Sequence, residues 1–272
     1  MCTISNQVNK KLLANVKHVF LDMDDTIYCG TTLFPTTKPF LEFLTFKNIS
    51  YAFLSNNSSY STSQYVERLA NMGLEVTPSH FYTSTDYTID FLKHFHPEYK
   101  KIFLLGMPGI RPAFESAGFE LVDDNPDAVI IAFDRQLVYD RLCKAAYFLK
   151  KGYPVFATHP DVFCPTDQPT WLVDCGAIIA CLETATATKL TRVLGKPDPG
   201  ILIEGAKRYG FEASNVIMCG DRLATDVAVG RRAGGLSCHI SKPMDYSHID
   251  ESVRPHFTVE NLGELQDLWS TI

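Results

Sequence analysis

The chain has 272 residues, 46% of them hydrophobic, enough for one large core or two moderate ones. Its 25 Lys and Arg against 31 Asp and Glu leave a net charge of -6. That balance argues against nucleic acid as a main partner, because phosphate backbones are held by clustered cations, and no run approaches the roughly 20 apolar residues of a membrane span.

At the amino terminus, Met1 to Gln7 lack the basic region and apolar stretch of a secretory signal. The eight cysteines, Cys2 among them, contain no Cys-x-x-Cys pair, which argues against a zinc site. A reduced, cytoplasmic protein is the expectation. Short apolar runs then alternate with helical patterns, as in a parallel α/β sheet. Residues 16–21 read as a buried strand ending in the acidic cluster Asp22, Asp24 and Asp25. Residues 51–54 form a second strand, running into Ser55 and Asn56. Ser61 and Gln64 have capping-box spacing. They open a helix carrying Tyr65, Val66, Leu69 and Met72, closed by Gly73. Strands follow at 101–105 and 128–132, with a short helix over 111–118 between them. A helix over 139–151 and a strand over 153–157 come next. Asp198 and Pro199 read as the N-cap and first residue of a helix, and 216–219 is a strand ending at Gly220-Asp221.

In open α/β sheets, ligands collect at the carboxyl ends of the strands, and four polar clusters follow strands or open a helix. Asp22 and Asp24, two residues apart, can divide the labour of phosphoryl chemistry. One attacks phosphorus, while the other protonates the leaving oxygen and later activates water. An Asp-rich turn also serves simply to bond nearby N–H groups. A calcium loop is excluded, since Ile27 and Leu33 stand where glycine and glutamate are needed. Ser55 and Asn56 offer a hydroxyl and an amide to phosphoryl oxygens, or cap a turn. Lys196, ahead of a helix N-terminus, attracts anions together with the helix dipole, or is a solvated lysine. It is not a P-loop lysine, because Leu190 occupies the place of that motif's first glycine. Asp221 follows a strand, and Asp226 falls near a helix start. Asp22 and Asp221 offer the few carboxylates that Mg²⁺ prefers beside waters and phosphate oxygens.

In order, type and placement, these clusters resemble the motifs of the haloacid-dehalogenase-like superfamily. Its pattern is Asp-x-Asp after the first strand, Ser or Thr after the second, Lys before a helix, then Gly-Asp with a further Asp. The interval between Ser55 and Lys196 is several times that between Asp22 and Ser55, which implies an inserted domain. Residues 54–59, 104–106, 158–161, 174–177 and 220–226 are similar to stretches of the NagD and p-nitrophenyl-phosphatase subgroup. That subgroup carries a large α/β cap at this place. Asp25 departs from it, since Gly is usual there.

The resemblance implies a doubly wound, Rossmann-like α/β core in two parts, 1–97 and 192–272, with a second α/β cap domain over 98–191. It implies a phosphatase in which Asp22 forms an aspartyl-phosphate and Asp24 acts as acid, then base. Mg²⁺ would be held by Asp22, the main-chain carbonyl of Asp24, and Asp221. Ser55, Asn56 and Lys196 would bind phosphate, with Thr26 and Asp226 in support. His159, Asp161 and Asp174 are candidates for recognising the leaving group, or structural residues of cap turns. The expected partner is a small phosphorylated metabolite, with no nucleic acid and no membrane. A homodimer is compatible, because some relatives use the cap as a dimer surface. The alternative is a non-catalytic protein that binds a phosphorylated ligand on the same fold. The intact set of Asp22, Asp24, Ser55, Lys196 and Asp221 speaks against it.

Overall fold

The structure, a computed structural model, describes residues 9–164 and 170–272. The amino-terminal segment read for a targeting signal, with Cys2, lies outside them. The chain divides into two units. One contains the residues up to Ser55, with Val66–Tyr82 and Lys196–Ile272, and the other gathers Asn56–Tyr65 and Thr83–Gly195. The inserted unit is therefore wider than 98–191: it also takes in 83–97, 192–195 and the earlier segment Asn56–Tyr65.

The first unit is built on a six-stranded sheet. Its order is Phe257–Val259, Leu236–Ile240, Val216–Gly220, His18–Leu21, Ser50–Ser55 and Phe81–Thr83. The pairings from Phe257–Val259 through to Ser50–Ser55 are parallel. The two central strands, His18–Leu21 and Val216–Gly220, are buried at every residue, as parallel strands covered on both faces must be. His18 is the polar exception. Its Nδ1 lies 2.8 Å from Ser50 Oγ, and its ring stacks on Tyr209 at 4.6 Å. Burial holds it well below the usual histidine range, at about 3.

The second unit has a five-stranded parallel sheet, ordered Arg192–Val193, Val155–Ala157, Ala128–Ile131, Lys101–Leu105 and Glu120–Leu121. Helices Tyr139–Lys150 and Cys175–Thr186 lay Phe148, Leu149, Ile178 and Leu182 against Phe103, Leu105, Val129 and Ile131. Full burial of side chains of this size stabilises by about 1.5–3 kcal/mol each before entropy is counted. Two α/β units, one inserted in the other, are thus the architecture.

Local signals hold at their stated places. Ser61 N donates to Gln64 Oε1 at 2.8 Å and Gln64 N to Ser61 Oγ at 3.3 Å, opening helix Thr62–Asn71. Asp198 accepts from Gly200 N at 2.9 Å ahead of helix Pro199–Arg208. The expected strand over 153–157 begins only at Val155, since Pro154 has no N–H to give a ladder. No helix among the described residues is long and apolar enough to cross a membrane.

Candidate active site

Parallel strands deliver their carboxyl ends to one edge of the sheet, so three neighbouring strands of the first unit bring Asp22, Ser55 and Gly220-Asp221 to the same edge. The ladder continues into Asp22, whose N–H donates to Cys219 O at 2.8 Å. Lys196, 2% exposed, follows Gly195 at φ +72°. Its Nζ donates to Asp22 Oδ1 at 2.5 Å and to Asp226 Oδ1 at 2.7 Å. Carboxylate oxygens of Asp22, Asp221 and Asp226 lie within 4.8 Å of one another. Asp226 is held in place by Arg222 N, which donates to its Oδ2 at 3.0 Å. A side chain at Gly220 would collide with that same carboxylate, so position 220 has room for glycine alone.

The charges are poorly balanced. Burial and the neighbouring Asp226 push Asp22 up to about 6 against the pull of Lys196. Burial, with Asp22 and Asp226 nearby, pushes Asp221 up to about 8. Lys196 is held above the ordinary lysine range, the two carboxylates outweighing its burial. Asp221 Oδ1 and Thr26 Oγ1 are both buried with no hydrogen-bond partner. A buried carboxylate oxygen without a partner costs several kcal/mol, on the order of a lost charged hydrogen bond or more. An all-oxygen set of this kind fits a hard divalent cation such as Mg²⁺, which takes one or two carboxylates and leaves room for water and phosphate oxygens.

Known proteins resemble this chain over most of its length. The haloacid dehalogenase-like hydrolase family model matches residues 19–120, and a HAD-hydrolase-like model matches residues 193–265. The 4-nitrophenylphosphatase of Thermotoga maritima is 37% identical, with a TM-score of 0.87 over 94% of this chain and 98% of that one. The chain belongs to the haloacid-dehalogenase-like hydrolases. Escherichia coli K-12 NagD superposes with a TM-score of 0.82 at 29% identity, over 92% of this chain and 98% of its own. Among curated relatives, the acid sugar phosphatase of Staphylococcus aureus MRSA252 is 28% identical over 251 residues, 91% of this chain and 96% of its length.

Within this haloacid-dehalogenase-like hydrolase, Asp24 stands apart from the other carboxylates. Burial and the charge of Asp22 raise it to about 6, while Arg68 and a hydrogen bond from Tyr28 pull it down. Arg68 lies over the Tyr28 ring at 5.1 Å and donates to Gly30 O at 2.7 Å. Neither residue carries a motif: Tyr28 reads as one more aromatic, and Arg68 as a basic residue on an amphipathic helix. Asp25 has φ 57°. That left-handed conformation suits glycine, and Asp is among the few other residues that visit it readily, which accounts for the departure from the subgroup's Gly.

The remaining candidates fall in the second unit, where they bond to one another. The Asn56 amide donates to Asp161 Oδ2 at 3.1 Å. His159 is fully buried, with Nδ1 at 2.8 Å from Thr158 Oγ1 and Nε2 at 2.9 Å from Asp174 Oδ1. Asp174 also caps helix Cys175–Thr186, accepting from Cys175 N at 2.5 Å. Ser58 Oγ joins the network at 3.3 Å from Thr158 Oγ1 and accepts from Phe133 N at 3.0 Å. With both ring nitrogens engaged and no exposed surface, His159 braces its unit and has no free group to offer a substrate. Asp174 braces it through Oδ1, which accepts from both the ring and the helix N–H.

Proposed function

We propose that this hydrolase is a Mg²⁺-dependent phosphatase of small organic phosphate monoesters that works through an aspartyl-phosphate on Asp22. One observation carries the reading. The buried Lys196 ammonium bridges Asp22 and Asp226, beside an Asp221 carboxylate whose Oδ1 has no partner. A phosphate dianion cannot approach such a group of carboxylates unless cations offset the repulsion. Asp22, the main-chain carbonyl of Asp24, and Asp221 would hold Mg²⁺, whose part is to neutralise charge on the transferring phosphoryl group.

The chain's own residues do the rest. An Asp22 carboxylate oxygen attacks phosphorus in line, and the bond to the leaving oxygen breaks as the bond to Asp22 forms. Asp24, raised to about 6, keeps a protonated fraction near neutral pH and gives that proton to the leaving oxygen. The resulting Asp24 carboxylate then takes a proton from water, whose oxygen attacks phosphorus and releases Asp22 and inorganic phosphate. Ser55 and Lys196 hold the equatorial oxygens of the transferring phosphoryl group, and Asp226 holds Lys196.

The test is hydrolysis of p-nitrophenyl phosphate with and without Mg²⁺ by wild type and Asp22→Asn, followed by a panel of phosphate monoesters. Sugar phosphates head the panel because of the Staphylococcus aureus relative's name. We expect activity that needs Mg²⁺ and falls at least about a thousandfold in Asp22→Asn. A wild type inert on every ester would overturn the reading and favour a phosphate-binding protein.

A further inference from the structure

The peptide that carries Asp221 is clamped at both of its polar ends. Its following N–H, that of Arg222, donates to Asp226 Oδ2 at 3.0 Å. Its carbonyl oxygen lies 2.8 Å from His239 Nε2. A carbonyl can only accept, so Nε2 carries the proton, and Nδ1 of the neutral ring must then be an acceptor. Its neighbour is Tyr246 Oη, at 2.7 Å, which therefore donates. Tyr246 Oη in turn accepts from Thr258 Oγ1, at 3.0 Å. The relay runs one way, from Thr258 to Tyr246 to His239 to the Asp221 carbonyl. It fixes both the tautomer and the ring orientation.

These three residues come from different places. His239 and Thr258 face each other across the paired strands Leu236–Ile240 and Phe257–Val259. Tyr246, 1% exposed, lies between those strands in the chain. His239 itself is 4% exposed, so water does not compete for its bonds. The contrast with the Asp221 side chain is sharp: the peptide that follows is engaged at both its carbonyl and its N–H, while carboxylate Oδ1 is left without a partner.

We infer that His239, oriented by Tyr246 and Thr258, is a positioning residue that fixes the Asp221 main chain so that its carboxylate is presented ready-made to a divalent cation. This rests on the proposed reading of Asp221 as a cation ligand. Residues one bond removed from a ligand commonly alter metal affinity about 10–100-fold when changed, because a ligand free to turn must be ordered when the cation binds.

The experiment measures binding of Mn²⁺ alone to metal-free protein, by calorimetry and by the electron paramagnetic resonance of the free ion. Wild type, His239→Leu, His239→Gln, Tyr246→Phe and Asp221→Asn are compared. We expect His239→Leu to weaken Mn²⁺ binding about 10–100-fold, with kcat largely restored at saturating metal. His239→Gln, whose amide can still donate to the carbonyl, should recover most of the affinity, and Tyr246→Phe should fall between. A purely structural role would lower the melting temperature and leave the affinity of the folded protein unchanged, and that result would overturn the inference. Should His239→Leu fail to fold, Tyr246→Phe with wild-type affinity would overturn it equally. If wild type itself binds no Mn²⁺, or Asp221→Asn binds as well as wild type, the cation reading has failed instead.

Discussion

The two units each bury a polar cluster, and the clusters are built on opposite principles. In the second unit, Ser58, Thr158, His159 and Asp174 form a chain in which each residue bonds to the next, ending on a helix cap. In the first unit, Asp22, Asp221 and Asp226 crowd one lysine, Asp221 Oδ1 meets nothing, and carboxyl groups are pushed up to about 6 and about 8. Buried polar groups are normally satisfied. A satisfied cluster stabilises and specifies a fold, whereas one left short of positive charge stores a cost that a ligand can remove. Under the proposed function the first cluster does chemistry and the second holds a shape, although both sets are polar, buried and clustered.

Removing charge from the first cluster is the sharpest way to break this comparison. A carboxyl held above its ordinary range binds its proton more tightly folded than unfolded, so it costs stability progressively as pH rises from about 4 through about 8. Asp221→Asn should therefore raise the stability of the metal-free protein at pH 8 by at least about 1 kcal/mol. The same change should lower Mg²⁺-supported activity about a thousandfold. Melting curves with chelator, beside rate measurements with Mg²⁺, check both halves. Lower stability in the chelated variant would put this cluster in the same class as the other.

The second cluster should respond in the opposite sense. Asp174→Ala removes a helix cap and leaves a buried imidazole nitrogen unpaired, at a cost of about 2–4 kcal/mol. Below the melting transition, kcat/KM should stay within about tenfold of wild type, since both ring nitrogens of His159 are engaged and Asp174 Oδ1 is spent on the ring and the helix cap. A far larger loss of kcat/KM in folded protein would return them to the role of substrate contacts.

These opposite outcomes bear on what the sequence could and could not convey. Asp22, Asp24, Ser55, Lys196, Asp221 and Asp226 were legible because each sits just past an apolar strand or just before a helix, a local arrangement that survives in one dimension. His159 and Asp174 were legible as polar turn residues. Whether they serve chemistry or structure depends on partners such as Thr158 and Ser58, one of them distant in the chain. His239, Tyr246 and Thr258 had no signature at all, since strand pairing brings them together and no spacing marks them. Some elements were hidden for equally physical reasons. Helix Cys175–Thr186 is apolar over most of its surface, so no stripe of period 3.6 stands out. Helix Thr37–Phe46 carries Pro39 in its first turn, a position that tolerates proline but reads as a break.

His18 gives the mildest test, because it belongs to the first unit yet takes no part in its chemistry. Its folded-state value near 3 lies below the ordinary 6.5. The unfolded chain therefore takes the proton first, and the histidine's contribution, complete above about pH 6.5, is lost as pH falls toward 3. His18→Phe should flatten the fall in stability across that window by up to about 1.4 kcal/mol per pH unit, the slope for a single proton. Denaturant titrations at pH 7, 6 and 5 would measure it, and an unchanged slope would mean that other groups govern acid unfolding.

The division of the chain also sets an order of events during synthesis. The inserted unit is complete once Gly195 has emerged from the ribosome, and all of its sheet partners are then available. The first unit must wait, because His18–Leu21 at the middle of its sheet pairs with Val216–Gly220, and the strands that finish the sheet come later still. Chains generally fold in the order in which they are made, and pairings distant in sequence form late. The half-made protein thus carries a finished insert on an unfinished catalytic core. Asp22 meets Asp221 only after the whole insert between them has been made, so a chain stopped just past the insert leaves the candidate site unassembled.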